Sequence, residues 1–170
     1  MDFEPLNFIH NEFVSAQSGL TLENLNPATG RPICLIPRSA AADTDAAVAA
    51  AAAAFPAWAR TPAPQRAALL DRIADLIEAH APALARLESE DSGKTLAMAT
   101  TVDIPRASAN FRFFAGALRH DHGGAAFHSA DSVNFSSRHP LGVAGLITPW
   151  NLRASCTRTR EYFYCPPTAY

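Results

Sequence analysis

A short apolar run at residues 142–148, closed by Pro149, constrains the fold of this chain more than any other feature. The run is apolar without strict alternation and includes β-branched side chains, which is typical of a strand buried on both faces of a parallel sheet. Pro149 has no backbone N–H to donate, so it ends the strand. Trp150 and Asn151 are therefore predicted just beyond the carboxyl end of a parallel strand, where open α/β sheets bind their ligands.

Asn151 is the candidate for chemistry at this position. Its carboxamide can donate hydrogen bonds to an oxygen that gains negative charge during a reaction. A purely structural interpretation also fits these residues: a buried strand that ends in a proline turn, with Trp150 as ordinary core. A single motif does not decide between the two interpretations.

The rest of the sequence predicts strands first, helices next and one strand after them. Short apolar runs between turn residues predict strands within 7–37, with Asn11 in a hairpin turn that tolerates positive φ. Residues 42–120 have the composition and periodicity of helices. Asp91-Ser92-Gly93 is expected to stop one helix, and Pro105 to kink or divide the last one. Alternation near residues 131–138 predicts a half-buried strand.

Two of the predicted helices have features that indicate how they begin and pack. Asp43 and Asp45 fall in the first turn of the first helix, where acidic side chains are favourable. Thr61-Pro62 predicts the cap and first turn of the second helix. The predicted buried stripe of that second helix consists of Leu69, Ile73, Leu76 and Ile77.

These features together resemble the N-terminal portion of the NAD(P)-dependent aldehyde dehydrogenase superfamily. Its members read Pro-x-Gly-Val and then a Pro-Trp-Asn turn, as residues 140–151 do here. The opening hairpin, the Asn-Pro-x-Thr-Gly turn at 26–30 and the Ser-Glu-Asp-Ser-Gly-Lys segment at 89–94 follow in the family's order. Residues 101–106 and 110–115 look closest to the aminomuconic and hydroxymuconic semialdehyde dehydrogenase branch.

The resemblance implies an α/β fold in which residues 1–151 form a partial aldehyde dehydrogenase domain. That domain would hold the N-terminal strands, the helical stretch, an oligomerisation-type strand at 131–138 and the first strand of a Rossmann-like cofactor domain at 142–148. Asn151 would help form the oxyanion hole. The residues implied to neighbour the cofactor, NAD or NADP, are Ile147, Thr148, Pro149 and Trp150.

In the family, a cysteine thiolate attacks the aldehyde, hydride passes to the nicotinamide, and a glutamate activates water to release the carboxylic acid. After Asn151 the resemblance ends: residues 152–170 continue neither as the family's apolar helix nor with its Lys-Pro-Ser-Glu turn, and Lys94 is the only lysine. We therefore expect a truncated fragment with an aberrant, disordered tail, inactive by itself and without tight cofactor binding. Neither the aldehyde, for which a muconic semialdehyde is one candidate, nor the choice of NAD over NADP is predicted.

Two alternatives stay open beside the enzyme fragment. The first is a non-catalytic fragment that pairs with full-length homologues through its exposed strands, which co-purification with a homologue would support. The second is a helical binding module built on residues 42–120, which would have to fold cooperatively by itself. Strand pairing also makes a homo-oligomer the expected assembly, with a small-molecule aldehyde as the other partner.

Composition and charge exclude several classes. A net charge of −2 without a basic cluster argues against nucleic acid. No apolar stretch approaches the roughly 18 residues of a membrane span, and the N-terminus lacks a secretory pattern, so a cytoplasmic location is expected. The 3 cysteines have irregular spacing, typical of neither a disulfide framework nor a zinc site. Cys156 and Cys165 lack the glycine-rich surroundings of the family nucleophile, and no carboxylate set completes a metal site with His120, His122 and His128.

Overall fold

The computed structural model describes residues 5–120, 124–129 and 131–147. The strands are β1 (Asn7–Ile9), β2 (Glu12–Val14), β3 (Thr21–Leu25), β4 (Pro32–Pro37), β5 (Ala125–Ser129) and β6 (Ser132–Phe135). The helices are α1 (Ala41–Ala59), α2 (Ala63–Ala79), α3 (Ala81–Ser92), the short α4 (Leu96–Met98), a π-helical turn (Ala99–Asp103) and α5 (Ile104–His120). The predicted mixture of helices and strands is confirmed.

The strands form three separate two-stranded antiparallel sheets: β1 with β2, β3 with β4, and β5 with β6. In the first hairpin, Asn7 pairs with Val14 and Ile9 with Glu12. The two turn residues, His10 and Asn11, have φ of 56° and 64°. The left-handed conformation predicted for Asn11 is therefore confirmed, and it suits a two-residue turn that follows the twist of the strands.

The β3–β4 hairpin is fixed against the end of α3. Helix α3 ends at Gly93, whose φ of 73° is the left-handed conformation that favours glycine. A Cβ at Gly93 would meet Pro27 Cγ at 2.8 Å, so the hairpin turn lies directly against the helix end. Asn24 Nδ2 donates to Asp91 Oδ1 at 2.7 Å beside this contact. The predicted helix stop thus also holds the hairpin.

Replacing Gly93 by alanine is expected to destabilise the fold more than the same change at Gly30. Both glycines have positive φ, 73° and 68°, so each substitution costs about 1–2 kcal/mol of backbone strain. A Cβ at Gly30 meets nothing within 4 Å, whereas Gly93 adds the clash with Pro27. Urea unfolding of G93A and G30A measures the difference, and equal losses would contradict the packing described here.

Helix α1 begins with a carboxylate that closes its first turn. The Ala40 N–H donates to Asp43 Oδ2 at 2.9 Å, and the Gln17 N–H donates to Asp43 Oδ1 at 2.8 Å. Both hydrogen bonds lower the pKa of Asp43, and the one from Ala40 has the larger effect. The position predicted for Asp43 in the first turn is confirmed, and its carboxylate also ties the preceding loop to the helix.

The start of α2 differs from the prediction. Thr61 does not cap the helix: its Oγ1 donates back to the Ala57 carbonyl of α1 at 3.2 Å, and Pro62 occupies the N-cap position without a side-chain hydrogen bond. Because the Thr61 hydroxyl bonds to the preceding helix, it does not bond to the first turn of α2. The predicted cap is therefore wrong.

The core lies in the helical layer, where α2 packs against α5. Its buried residues are Ala67, Leu70, Ala74, Ile77, Ala85, Ala99, Ile104, Ala107, Phe111 and Ala115. The predicted α2 stripe is only partly correct, because Leu69 and Leu76 are 50% and 42% exposed whereas Ala67 and Ala74 are fully buried. Alanines on this face let the helices approach closely. No helix among the described residues is long and apolar enough to cross a membrane.

The last helical stretch is interrupted just before Pro105. Residues from Leu96 to Met98 are α-helical, the π-turn follows, and α5 resumes at Ile104, whose N–H donates to the Ala99 carbonyl five residues earlier. Pro105 has no N–H to donate to the carbonyl of Thr101, so the α-helical ladder is broken here in any case. The predicted division of this helix is thus observed, as a widened turn.

The segment predicted as a buried parallel strand does not form one in the described residues. Residues 141–147 pair with no strand, and the Ile147 side chain is 96% exposed. A strand of a parallel sheet acquires its ladder bonds and its covering helices from neighbouring strand–helix units, and none of the described residues provides one. Residue 148, the predicted end of the strand, lies outside the described residues.

Candidate functional site

Most of the residues predicted to act at the site lie outside the part of the chain that the structure describes. This holds for Asn151 and for three of the four cofactor neighbours: Thr148, Pro149 and Trp150. It also holds for His122, Cys156 and Cys165. Ile147 is the one predicted site residue that the structure describes, and its apolar side chain is exposed at the end of the extended 141–147 segment.

The 141–147 segment follows the β5–β6 hairpin, which has its own exposed face. The strand predicted near 131–138 is present as β6, but all of its residues are exposed, Val133 by 51% and Phe135 by 78%, so the predicted half-burial is wrong. Along 140–147, residues alternate between half-buried and exposed, and Gly142 has a φ of 116° that suits glycine. The region that leads to the predicted site is therefore extended and apolar, with its backbone edges available to other strands.

The described residues contain a charged network along the contact of α2 and α5 that the sequence analysis did not predict. Arg112 donates to Glu78 Oε2 at 2.7 Å and to Asp75 Oδ1 at 3.0 Å. Ser108, which is buried, donates its hydroxyl to Glu78 Oε1. Arg119 pairs with Asp71 about two turns further along α5. The network runs beside the core and fixes the two helices against each other.

A signal for this network is present in the sequence. Asp71, Asp75 and Glu78 are spaced four and three residues apart, so they lie on one face of α2. Arg112 and Arg119, seven residues apart, lie on one face of α5. Matching the two stripes requires knowing that α2 and α5 pack together, which the sequence alone does not give.

The charges of this network set the chemistry that it can perform. The hydrogen bonds from Arg112 and from Ser108 lower the pKa of Glu78. The carboxylates of Glu78 and Asp75 raise the pKa of Arg112. Glu78 is therefore a poor proton acceptor at neutral pH, and the guanidinium of Arg112 is already engaged. The network is a scaffold between helices, without a general base.

An open cleft of about 320 Å³ borders this network. It is lined by Glu78, Ala81, Ile104, Pro105, Ser108, Ala109 and Arg112. Its volume is at the small end of ligand pockets, and its walls are mostly apolar. No thiol, imidazole or lysine is among the described residues that line it, and the Ser108 hydroxyl and the Glu78 carboxylate are bonded to each other.

The pH dependence of stability should report the Glu78 network. Because the folded state lowers the pKa of Glu78 below 4.5, its charge stabilises the fold at neutral pH, and this contribution is lost as the pH falls through the folded-state pKa. The variant E78Q should therefore be less stable than the native chain at pH 7, with the gap closing in acid. Urea midpoints of the native chain and of E78Q, measured from pH 7 into acid, test this prediction. The control is D45N, because Asp45 is exposed. A gap independent of pH would contradict the network.

A second charged cluster is buried where α3, α4 and the π-turn meet. Lys94 Nζ lies 2.9 Å from Asp103 Oδ2 and 3.6 Å from Glu88 Oε1. The side chains of Asp103 and Glu88 are 1% and 4% exposed, and that of Lys94 is 17% exposed. Lys94 follows the helix end at Gly93, as the sequence indicates, and its ammonium is bound by carboxylates.

No metal site was expected, and within the described ranges no group of three or more histidine, cysteine or acidic side chains is arranged to bind an ion. His120 lies at the end of α5 with its side chain exposed. Cys34 is a free thiol in β4 and lies near Asn24 Nδ2. These residues supply no further candidate site.

Comparison with protein families matches residues 13–157 to the aldehyde dehydrogenase family. The chain belongs to the aldehyde dehydrogenase family. The matched range includes the predicted Pro-Trp-Asn turn at 149–151 as well as all of the described helices. The resemblance drawn from the sequence motifs is thereby confirmed.

Curated relatives within the aldehyde dehydrogenase family have different names. Acetaldehyde dehydrogenase 2 of Cupriavidus necator is 45% identical over 145 residues, which cover 85% of this chain and 29% of that protein. The 2-aminomuconic semialdehyde dehydrogenase of Bos taurus is 42% identical over 154 residues, covering 86% and 30%. The chain thus spans about three-tenths of the length of these relatives. A 2-aminomuconic semialdehyde dehydrogenase is thus among the relatives, but its 42% identity is no higher than the 45% of the acetaldehyde dehydrogenase.

Solved aldehyde dehydrogenase structures share this fold. The NAD⁺ complex of the aldehyde dehydrogenase from Bacillus cereus superposes with a TM-score of 0.89 at 37% identity, over 96% of this chain and 34% of that chain. The fold described above is therefore shared with about a third of that solved structure. That structure contains NAD⁺ bound to a member of the family.

Proposed function

We propose that this chain supplies the N-terminal part of an NAD(P)-dependent aldehyde dehydrogenase, which oxidises an aldehyde to a carboxylic acid. The observation that carries the proposal is the family match, which extends through the Pro-Trp-Asn turn. In this assignment the Asn151 carboxamide donates a hydrogen bond to the aldehyde oxygen as that oxygen becomes anionic. One such donor contributes about 2.7–4 kcal/mol of transition-state stabilisation.

The same proposal makes Ile147, Thr148, Pro149 and Trp150 neighbours of the nicotinamide side of NAD or NADP. The exposed, apolar Ile147 side chain fits contact with an aromatic ring. When bound, the cofactor supplies the acceptor for the hydride of the substrate. Lys94, the only lysine in the chain, is bound to Asp103, so it is not available to hold a ribose. We therefore expect weak cofactor binding by these 170 residues alone.

Activity measurements on two proteins test the assignment. The purified 170-residue chain should form no NADH or NADPH from any aldehyde, because an oxyanion donor without a nucleophile and a general base has no reaction to accelerate. A chimera in which residues 13–151 replace the matching part of the C. necator relative should be active. Turnover by the chain alone would contradict the proposal, and so would a folded chimera without activity.

The chimera also allows the substrate to be tested. Acetaldehyde and 2-aminomuconic semialdehyde are the aldehydes indicated by the names of the two relatives. Segments 101–106 and 110–115 are the ones that resemble the semialdehyde branch. If they influence specificity, kcat/KM for the semialdehyde should rise in the chimera relative to the parent, and unchanged specificity would assign the choice to other parts of the enzyme.

A second candidate function is pairing with full-length aldehyde dehydrogenases or with further copies of this chain. It is favoured by the exposed β6 strand, in which Phe135 is 78% exposed and offers an apolar side chain beside an open backbone edge. A tagged chain should then co-purify with a full-length homologue, and F135K should abolish this. The matched control is F113K, which changes an exposed phenylalanine on α5. Equal loss in both variants, or no co-purification, would exclude strand pairing.

A further inference from the structure

We infer that the Lys94–Asp103 ion pair keeps residues 99–103 in the π-helical conformation and thereby places Ala99 in the core. We call this ion pair the latch. The inference concerns the internal architecture of the chain and is independent of the proposed enzymatic role. It depends on the helical geometry, on the burial of the latch and on the way in which Lys94 is held.

Helix geometry makes the π-turn necessary for the observed burial. Ala99 and Ala115 are both fully buried and belong to the same cluster. In an uninterrupted α-helix of 3.6 residues per turn, these two positions would point about 160° apart. The π-turn absorbs one residue, which reduces the angle to about 60° and lets both side chains enter the same buried cluster. Closing the turn would rotate Ala99 out of the core.

A π-turn is rare because it is less favourable than a continued α-helix. The missing N–H of Pro105 removes one bond of that α-helix but does not by itself select the π-helical register, so a further contact is needed to hold it. Asp103 is the last residue of the π-turn, and its carboxylate is 1% exposed. A carboxylate in such a place is strongly unfavourable unless it is paired, and the Lys94 ammonium at 2.9 Å is the partner. The burial of Asp103 is therefore favourable only in the register in which its carboxylate reaches Lys94.

The position of Lys94 is fixed by its own backbone. Ser89 Oγ donates to the Lys94 carbonyl at 2.6 Å, and the Lys94 N–H donates to Ser92 Oγ at 3.4 Å. Gly93, the residue before Lys94, packs against Pro27. The ammonium thus extends from a rigid helix end toward the π-turn. Because the backbone of Lys94 is held in this way, we expect the π-turn, and not the helix end, to change when the ion pair is lost.

Cysteine labelling of the full chain tests the latch. The probe is A99C, and the matched reference is A74C, a fully buried alanine of the same cluster on α2. In both, Cys34, Cys156 and Cys165 are replaced by serine. D103L, which removes the carboxylate but keeps a side chain of similar size, should accelerate alkylation of A99C at least about tenfold and leave A74C unchanged. Protection of A99C in D103L would overturn the inference.

E88Q is the control for the latch itself. It removes one carboxylate from the same cluster but leaves the Lys94–Asp103 pair in place, so A99C should stay protected. If E88Q accelerates A99C as much as D103L does, or if D103L exposes A99C and A74C equally, the ion pair supports the fold in general and the latch is refuted. K94R, which retains a cation for Asp103, should keep A99C protected, and exposure there would also refute it.

Discussion

Replacing Phe111 by alanine should cost about 3–5 kcal/mol of unfolding free energy, the largest stability effect expected for a single substitution in this chain. Phe111 lies on α5, is fully buried, and belongs to the cluster between α2 and α5. More than half of that cluster is alanine, and alanine side chains cannot expand to fill the space that a missing ring leaves. Domains of this size are stable by only about 5–15 kcal/mol, so the variant loses a large part of that margin.

The matched control for Phe111 is Phe113, two residues further along the same helix and 69% exposed. F113A removes the same atoms from a position that faces solvent, and it should change stability by no more than about 0.5 kcal/mol. Urea unfolding, followed by helical circular dichroism, measures both. Similar losses in F111A and F113A would mean that the α2–α5 contact is not the core of the fold.

What could be predicted from the sequence is what local chemistry decides. The left-handed turn at Asn11 and the helix end at Gly93 follow from the conformations that these two residue types tolerate, and both are confirmed. Asp43 in the first turn of α1 follows from its preference for free backbone N–H groups. The division of the last helix near Pro105 follows from the missing N–H of proline.

The predictions that were wrong or missing depend on which helices pack against each other. Leu69 and Leu76 fit a helical stripe as well as Ala67 and Ala74 do, but the buried face of α2 is the one that carries the two alanines together with Leu70 and Ile77. Thr61 bonds to the preceding helix, a contact that its own sequence neighbourhood does not reveal. The partners of Lys94 and Glu78 come from separate helices, so neither cluster can be inferred before the packing is known.

The site itself was predicted from a motif whose meaning depends on a larger fold. Residues 142–147 have the apolar composition that is typical of a strand covered on both faces, whereas here Ile147 is 96% exposed. Such a strand would need covering elements that the described residues do not contain. A family resemblance supplies that context, and composition or periodicity alone does not.

Replacing Asn151 by alanine should have the largest functional effect. In the active chimera, N151A should lower kcat by about 10²–10³-fold with little change in KM, because the lost hydrogen bond forms to an oxygen that is charged only in the transition state. The matched control is N134A, which removes the same carboxamide from the exposed strand β6 and should leave kcat unchanged. Steady-state kinetics with saturating cofactor and a direct titration of NAD binding separate catalysis from cofactor affinity. If N151A kept its kcat, or lost activity only through weaker NAD binding, the oxyanion role of Asn151 would be wrong, and residues 147–151 would retain only a structural or cofactor-contacting role.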